Sequence, residues 1–285
     1  MVFSSIRLLC KQFTVRRQSS QIKKLVLDMI TGGEMLLETL DDCKLHLSNS
    51  DTLLYKEKDN SLHEIHRRVD LTDAIVVDID DTIIDTERRR HSAWCQVLGR
   101  NIPRREVESK GSLAILRKYA FSNKKVWKDF WMLTLCIEEG GADLLELDKP
   151  IPLASNALLN WSRSHKLVYL TGRTENMRQL TVSELKKLGF PTHGTDLEMF
   201  TINDWMDYFS SQSSVVETRS TLFSRILERH NVVRVVDDYP RFFAAYRKHP
   251  VPDKVGLLRR KRFSPQEYFT NGATRVVEDW TRLLV

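Results

Sequence analysis

The stretch Ala74-Ile75-Val76-Val77-Asp78-Ile79-Asp80-Asp81-Thr82-Ile83-Ile84-Asp85-Thr86 decides the fold. Small and β-branched apolar residues run straight into a group of carboxylates. An unbroken apolar run of this kind reads as a strand buried on both faces, as in a parallel sheet. The carboxyl end of such a strand is where open α/β sheets hold their ligands. Asp78 and Asp80 are two apart, so on an extended strand both point the same way. Two carboxylates crowded there are costly unless something positive lies between them. A divalent cation such as Mg²⁺, which prefers hard oxygen ligands, is the expected occupant.

The same pattern recurs further along the chain. Leu167-Val168-Tyr169-Leu170 is a short apolar run ending in Thr171-Gly172-Arg173, with a helix expected over 176–188 and closed by Gly189. A Thr hydroxyl and the exposed amides of a strand-to-helix turn make a phosphate cradle, whereas a Thr alone is as readily a helix cap. Arg173 is expected either to reach a substrate or to pair with an acid such as Glu175. Val232-Val233-Arg234-Val235-Val236 then runs into Asp237-Asp238, a second β-branched strand ending in paired carboxylates. The preceding segment, 215–229, reads as a helix with Leu222, Ile226 and Leu227 inward and Arg219 near its start. Strands are also expected over 195–200 and 254–258. Residues 202–214 read as a polar excursion.

Between the first and second of these strands the α/β alternation stops. Residues 87–150 read as helical throughout, with segments over 112–119 and 123–139 and with Trp127 and Trp131 at i, i+4 on one face. These tryptophans are expected to fill a small local core. Arg88, Arg89 and Arg90 form a charge run, ordinarily a solvated helix face.

Taken in order, these stretches resemble the motifs of the haloacid dehalogenase (HAD) superfamily: Asp-x-Asp-x-Thr after a strand, a strand ending in Thr, a cation on a later helix, and a strand ending in acids. The resemblance covers roughly residues 71–285. It implies an α/β fold, a doubly wound parallel sheet (HAD-like Rossmannoid core) with a small all-helical cap, divided as core 71–86, cap 87–150 and core 151–285. It further implies a Mg²⁺-dependent phosphatase working through an aspartyl-phosphate. Asp78 would be the nucleophile. Asp80 would protonate the leaving oxygen and then activate water, with a pKa above that of Asp78. Thr171, Gly172 and Arg219 would hold the phosphoryl oxygens. Mg²⁺ would lie among the Asp78 carboxylate, the Asp80 backbone carbonyl, Asp237 and Asp238. Asp80 argues against a dehalogenase, because those members lack the second acid. Two positions depart from the pattern: Arg219 stands where Lys is usual, and Asp81 where Gly is common. Arg keeps the charge but is planar and fork-shaped, so the alternative is a catalytically weak HAD-like domain serving as a structural or binding subunit in a mitochondrial assembly.

Outside this region the signals are compositional. Residues 1–27 carry Arg7, Lys11, Arg16, Arg17, Lys23 and Lys24 with no acid before Asp28, which resembles a mitochondrial transit peptide over 1–20, or else a basic tail. Residues 21–70 read as an extension, helical over 21–47 and irregular beyond. Hydrophobic residues at 41% and charged residues at 29% are those of a globular chain, and no run reaches the roughly 18 to 20 apolar residues of a membrane span. The four cysteines have no close spacing, which argues against a zinc site or a disulfide framework. A net charge of +6 suits an anionic ligand: a phosphorylated small molecule, or nucleic acid met by basic segments such as Arg259-Arg260-Lys261-Arg262.

Overall fold

The structure is a computed structural model and describes residues 44–47, 52–56, 62–66, 71–259 and 263–284. The chain divides at residue 70 into two units. In the first, β1 (Lys44–Leu47), β2 (Thr52–Lys56) and β3 (Leu62–His66) form an antiparallel sheet. This corrects the helix expected up to residue 47 and the irregular stretch beyond it. Short runs of strand-forming residues separated by turn formers, Ser48-Asn49-Ser50-Asp51 and Asp59-Asn60-Ser61, favour hairpins over a helix. The remainder of the expected helix and the transit peptide lie outside the described residues.

The second unit begins with β4 (Asp73–Val77), whose apolar residues are all buried. Ala74 and Val76 pack into one core, Ile75 and Val77 into another on the opposite face, as a central strand requires. After it, β5 (Ile84–Asp85) pairs antiparallel with β6 (Lys149–Pro150), so the intervening segment leaves and returns through one two-stranded ribbon. That segment contains α1 (Glu87–Leu98), α2 (Arg104–Lys110), α3 (Ser112–Ala120) and α4 (Lys124–Thr134), then a 3₁₀ turn at Ala142–Leu147. The helix expected to continue to residue 139 stops at Thr134, because Cys136 turns to a left-handed φ of 51°. The segment has its own core around Trp94, which stacks on Phe130 at 4.1 Å. Trp127 stays within this group, whereas Trp131 stacks on Trp205 at 4.9 Å.

The chain then continues through α5 (Ala154–Trp161), β7 (Lys166–Thr174), α6 (Arg178–Lys187), β8 (Asp196–Phe200), α7 (Ile202–Phe209), α8 (Val215–Arg229) and β9 (Asn231–Asp237). It closes with α9 (Phe243–Tyr246), β10 (Asp253–Leu257), α10 (Pro265–Asn271) and β11 (Arg275–Val277). The helix α7 corrects the polar excursion. Ile202, Trp205, Met206 and Phe209 share one face, and Thr201 and Asp204 close a capping box, so polar residues between them do not prevent a helix. The six-stranded sheet is parallel throughout, in the order β11-β10-β9-β4-β7-β8. This is the expected doubly wound α/β architecture. The order reverses at β4, which has β7 on one side and β9 on the other. The carboxyl ends of these three strands therefore lie side by side, at the position where such sheets open a crevice.

Candidate active site

Asp78 follows the last residue of β4. Its backbone N–H donates to the Val236 carbonyl at 3.0 Å, which anchors it to β9. Asp237 ends β9, and Asp238 follows it. The carboxylates of Asp78, Asp237 and Asp238 are all buried and offer oxygens within 4.8 Å of one another. Arg219, in the second turn of α8, reaches this cluster from the side. Its Nη2 donates to Asp78 Oδ1 at 2.9 Å and to Asp237 Oδ2 at 2.6 Å. Thr82 completes the loop: its hydroxyl donates to Asp78 Oδ2 at 3.0 Å and accepts the Asp238 N–H at 3.0 Å. Trp280 holds the Thr82 carbonyl from the far end of the chain, at 2.8 Å. Between them, Asp81 takes a left-handed φ of 67°, which is where Gly is usual and where Asp is tolerated at lower strain than most residues. Tyr268 donates to the Asp238 carbonyl at 2.5 Å. It fits there only because Gly256 has no side chain, since a Cβ would lie 2.4 Å from its ring.

Three buried carboxylates against one guanidinium leave excess negative charge. Burial raises the Asp78 pKa well above the ordinary carboxylate range, and Asp237, Asp238 and Asp80 push it the same way against the pull of Arg219. Burial also raises that of Asp237. A set of hard oxygen donors with unbalanced charge is the chemistry that suits a divalent cation such as Mg²⁺. Asp78, Asp237 and Asp238 are the carboxylates placed to hold one.

Asp80 does not join this cluster. The strand ends at Val77, so the expectation that Asp78 and Asp80 point together around one cation is corrected. The Asp80 carboxylate instead accepts from Arg89 Nη2 at 2.6 Å and from Arg173 Nη2 and Nε at 2.8 and 3.1 Å. Its pKa order relative to Asp78 is also the reverse of that expected. Burial alone would raise it, but Arg173 and Arg89 bring it down to about 2. The expected pairing of Arg173 with Glu175 is not found: Arg173 pairs with Asp80 and Glu184, and Glu175 pairs with Arg178. Arg89 is buried and not solvated, because its neighbours Asp80 and Asp148 replace water. Burial, against the pull of Arg89, raises the Asp148 carboxyl to about 8.

Thr171 and Gly172 lie on β7, beside β4. Thr171 is fully buried and its hydroxyl accepts the Arg173 N–H at 3.2 Å. The Gly172 carbonyl accepts the Trp205 indole N–H at 2.8 Å. Neither residue hydrogen-bonds to the three-carboxylate cluster. Two neighbours of Arg219 escape the sequence reading. Tyr246, in α9, accepts the Arg219 Nε–H at 2.7 Å and donates to Asp237 Oδ2 at 2.8 Å, and Phe242 lies under the guanidinium at 4.6 Å. The available signal was their i, i+4 spacing immediately after Asp237-Asp238. Burial raises the Tyr246 phenol well above its usual range, so it stays a neutral donor. Arg259 is bonded to Asp85 and the Asp81 carbonyl, while the rest of that basic run lies outside the described residues.

No protein-family model matches the chain, and no curated protein matches it. Solved structures do. A haloacid dehalogenase-like family hydrolase from Streptococcus pneumoniae superposes with a TM-score of 0.51 at 16% identity, covering 75% of this chain and 97% of its own. A predicted phosphatase from Clostridium acetobutylicum superposes with a TM-score of 0.53 at 12% identity, covering 75% and 97%. Identity this low speaks to the fold alone.

Proposed function

From the haloacid dehalogenase-like fold of this chain, we propose that it is a Mg²⁺-dependent phosphatase acting on phosphorylated small molecules through an aspartyl-phosphate. One observation carries the reading. A buried carboxylate, Asp78, stands at the end of the central strand, held by Arg219, with Asp237 and Asp238 within ligand-sharing distance. In this reading an Asp78 oxygen attacks phosphorus, the bond from phosphorus to the ester oxygen breaks, and an acyl phosphate forms. Asp80 would pass a proton to the leaving oxygen and later take one from the water that cleaves the acyl phosphate. That role requires its ion pairs with Arg89 and Arg173 to open, since in the arrangement seen here they hold its carboxyl pKa at about 2. Arg219 stabilises the charge on the phosphoryl oxygens, with Thr171 and Gly172 lining the same strand end. Mg²⁺ bound by Asp78, the Asp80 backbone carbonyl, Asp237 and Asp238 would neutralise the charge gathered between nucleophile and phosphoryl group. The helices of 87–150 serve as the cap over the site, entering and leaving through the β5–β6 ribbon. Arg89 is their direct link to Asp80.

The test is phosphate release from a panel of sugar phosphates, nucleotides and phosphorylated oligonucleotide ends, with Mg²⁺ or with EDTA. Release by the wild type should require Mg²⁺ and fall by roughly 10³-fold or more in Asp78→Asn. Equal turnover in the two proteins, or release by neither on any substrate, would remove the proposal. Preference for oligonucleotide ends with a steep salt dependence would move the substrate to nucleic acid.

A further inference from the structure

Arg219 is the position where a bulky, forked cation replaces a compact one, and its surroundings differ accordingly. A lysine ammonium bridges two carboxylates from any torsion about its own axis. A guanidinium bridges them only when its plane is correctly turned, and its buried Nε–H then needs its own acceptor. Both requirements are met by the short helical stretch that follows Asp238. Tyr246 Oη accepts the Nε–H at 2.7 Å and donates its own proton to Asp237 Oδ2 at 2.8 Å. Phe242, one turn earlier, covers the face of the guanidinium at 4.6 Å. Arg219 and Tyr246 are both completely buried. With Nε on Tyr246 and Nη2 on Asp78 and Asp237, the remaining nitrogen, Nη1, has no hydrogen-bond acceptor among the described residues. A buried donor is rarely left unmatched.

We propose that Tyr246, backed by Phe242, is a positioning residue that locks the plane of Arg219, and with it the Asp78 and Asp237 carboxylates that Arg219 bridges, in the arrangement that receives a phosphoryl group. The proposal rests on the phosphatase reading for the location of the phosphoryl group. It makes Arg219 and Tyr246 a matched pair. A lysine in place of Arg219 has no Nε–H to hold in plane, so it would leave Tyr246 only its bond to Asp237.

The experiment is a double-mutant cycle on the full chain: wild type, Tyr246→Phe, Arg219→Lys and the double variant. Binding of inorganic phosphate in the presence of Mg²⁺ is measured by calorimetry, alongside thermal unfolding and hydrolysis of p-nitrophenyl phosphate. Tyr246→Phe should weaken phosphate binding about tenfold in the wild-type background and clearly less in the Arg219→Lys background, where only its bond to Asp237 is lost. Equal losses in both backgrounds would mean that Tyr246 supports the site only structurally, and would overturn the proposal. So would a wild type that does not bind phosphate. If Tyr246→Phe unfolds, Phe242→Leu takes its place in the cycle and must show the same dependence on Arg219. Phosphate binding with the expected non-additivity but no hydrolysis of any ester would keep the positioning role and remove the phosphatase reading.

Discussion

Arg173 and Arg178 carry the same charge on neighbouring stretches of chain, yet the fold uses them differently. Arg173 is 1% exposed and joins Asp80 and Glu184, whereas Arg178 pairs with Glu175 in solvent. Removing one member of a buried pair leaves the others uncompensated at a cost of about 3–5 kcal/mol, while an exposed pair contributes less than about 1 kcal/mol. Arg173→Met should therefore lower unfolding free energy in urea by about 3–5 kcal/mol, and Arg178→Met by less than about 0.5 kcal/mol. Similar losses in the two variants would contradict the burial of the Asp80 network. Local sequence alone favours Glu175 as the acid for Arg173, because it is two residues away. The acids it meets come from the end of β4 and from α6, and only packing brings them to it.

At the scale of elements, one carboxylate ties three strands together. Asp253 opens β10 and receives Arg234 from β9 at 2.6 Å and Arg275 from β11 at 2.9 Å. Partial burial would raise its pKa, but its hydrogen bonds and charge contacts with Arg275 and Arg234 lower it below the ordinary value. A carboxylate depressed in the folded state adds stability that is fully present above its unfolded pKa and is lost as pH falls through its folded one. Asp253→Asn should therefore be less stable than wild type at pH 7, and the gap should close progressively below about pH 4. Urea unfolding of both proteins across that range checks it, and a gap that does not narrow as pH falls would show that the contribution is not ionic. The helix starts are readable in advance at this scale. Ser214 with Glu217 and Ser264 with Glu267 are capping boxes that need only local chain. The capping box of Thr201 and Asp204 at the start of α7 is equally local, but the apolar face that follows it finds its meaning only against Trp131 and the sheet.

For the molecule as a whole, crowding the buried carboxylates of Asp78, Asp237 and Asp238 costs stability that a bound cation would return. A ligand that binds only the folded chain adds about 2.7 kcal/mol at a concentration one hundred times its dissociation constant. Mg²⁺ should thus raise the melting temperature by roughly 5–10 °C, and EDTA should return it. Asp237→Asn should abolish most of that rise. An equal rise in both proteins would place the ion elsewhere. Among the described residues no helix is long and apolar enough to cross a membrane.

The strands that end in Asp78, Thr171 and Asp237, and the helix over 215–229, were legible in the sequence, because unbroken β-branched runs ending in acids or Thr have few other stable arrangements, whereas α7, α10 and β11 were not. The placement of Asp78, Asp237 and Asp238 at strand ends followed from the same runs. The antiparallel sheet over 44–66 is not legible in this way, since each of its strands is too short for its period to stand out. Tertiary structure decided where the positive charge goes. Arg219, Arg173 and Arg89 come from three distant elements, and a buried carboxylate takes whichever cation the packing delivers, whatever lies next to it in the chain. For that reason the separation of Asp80 from Asp78, and the Tyr246 contact with Arg219, exist only once the sheet has closed.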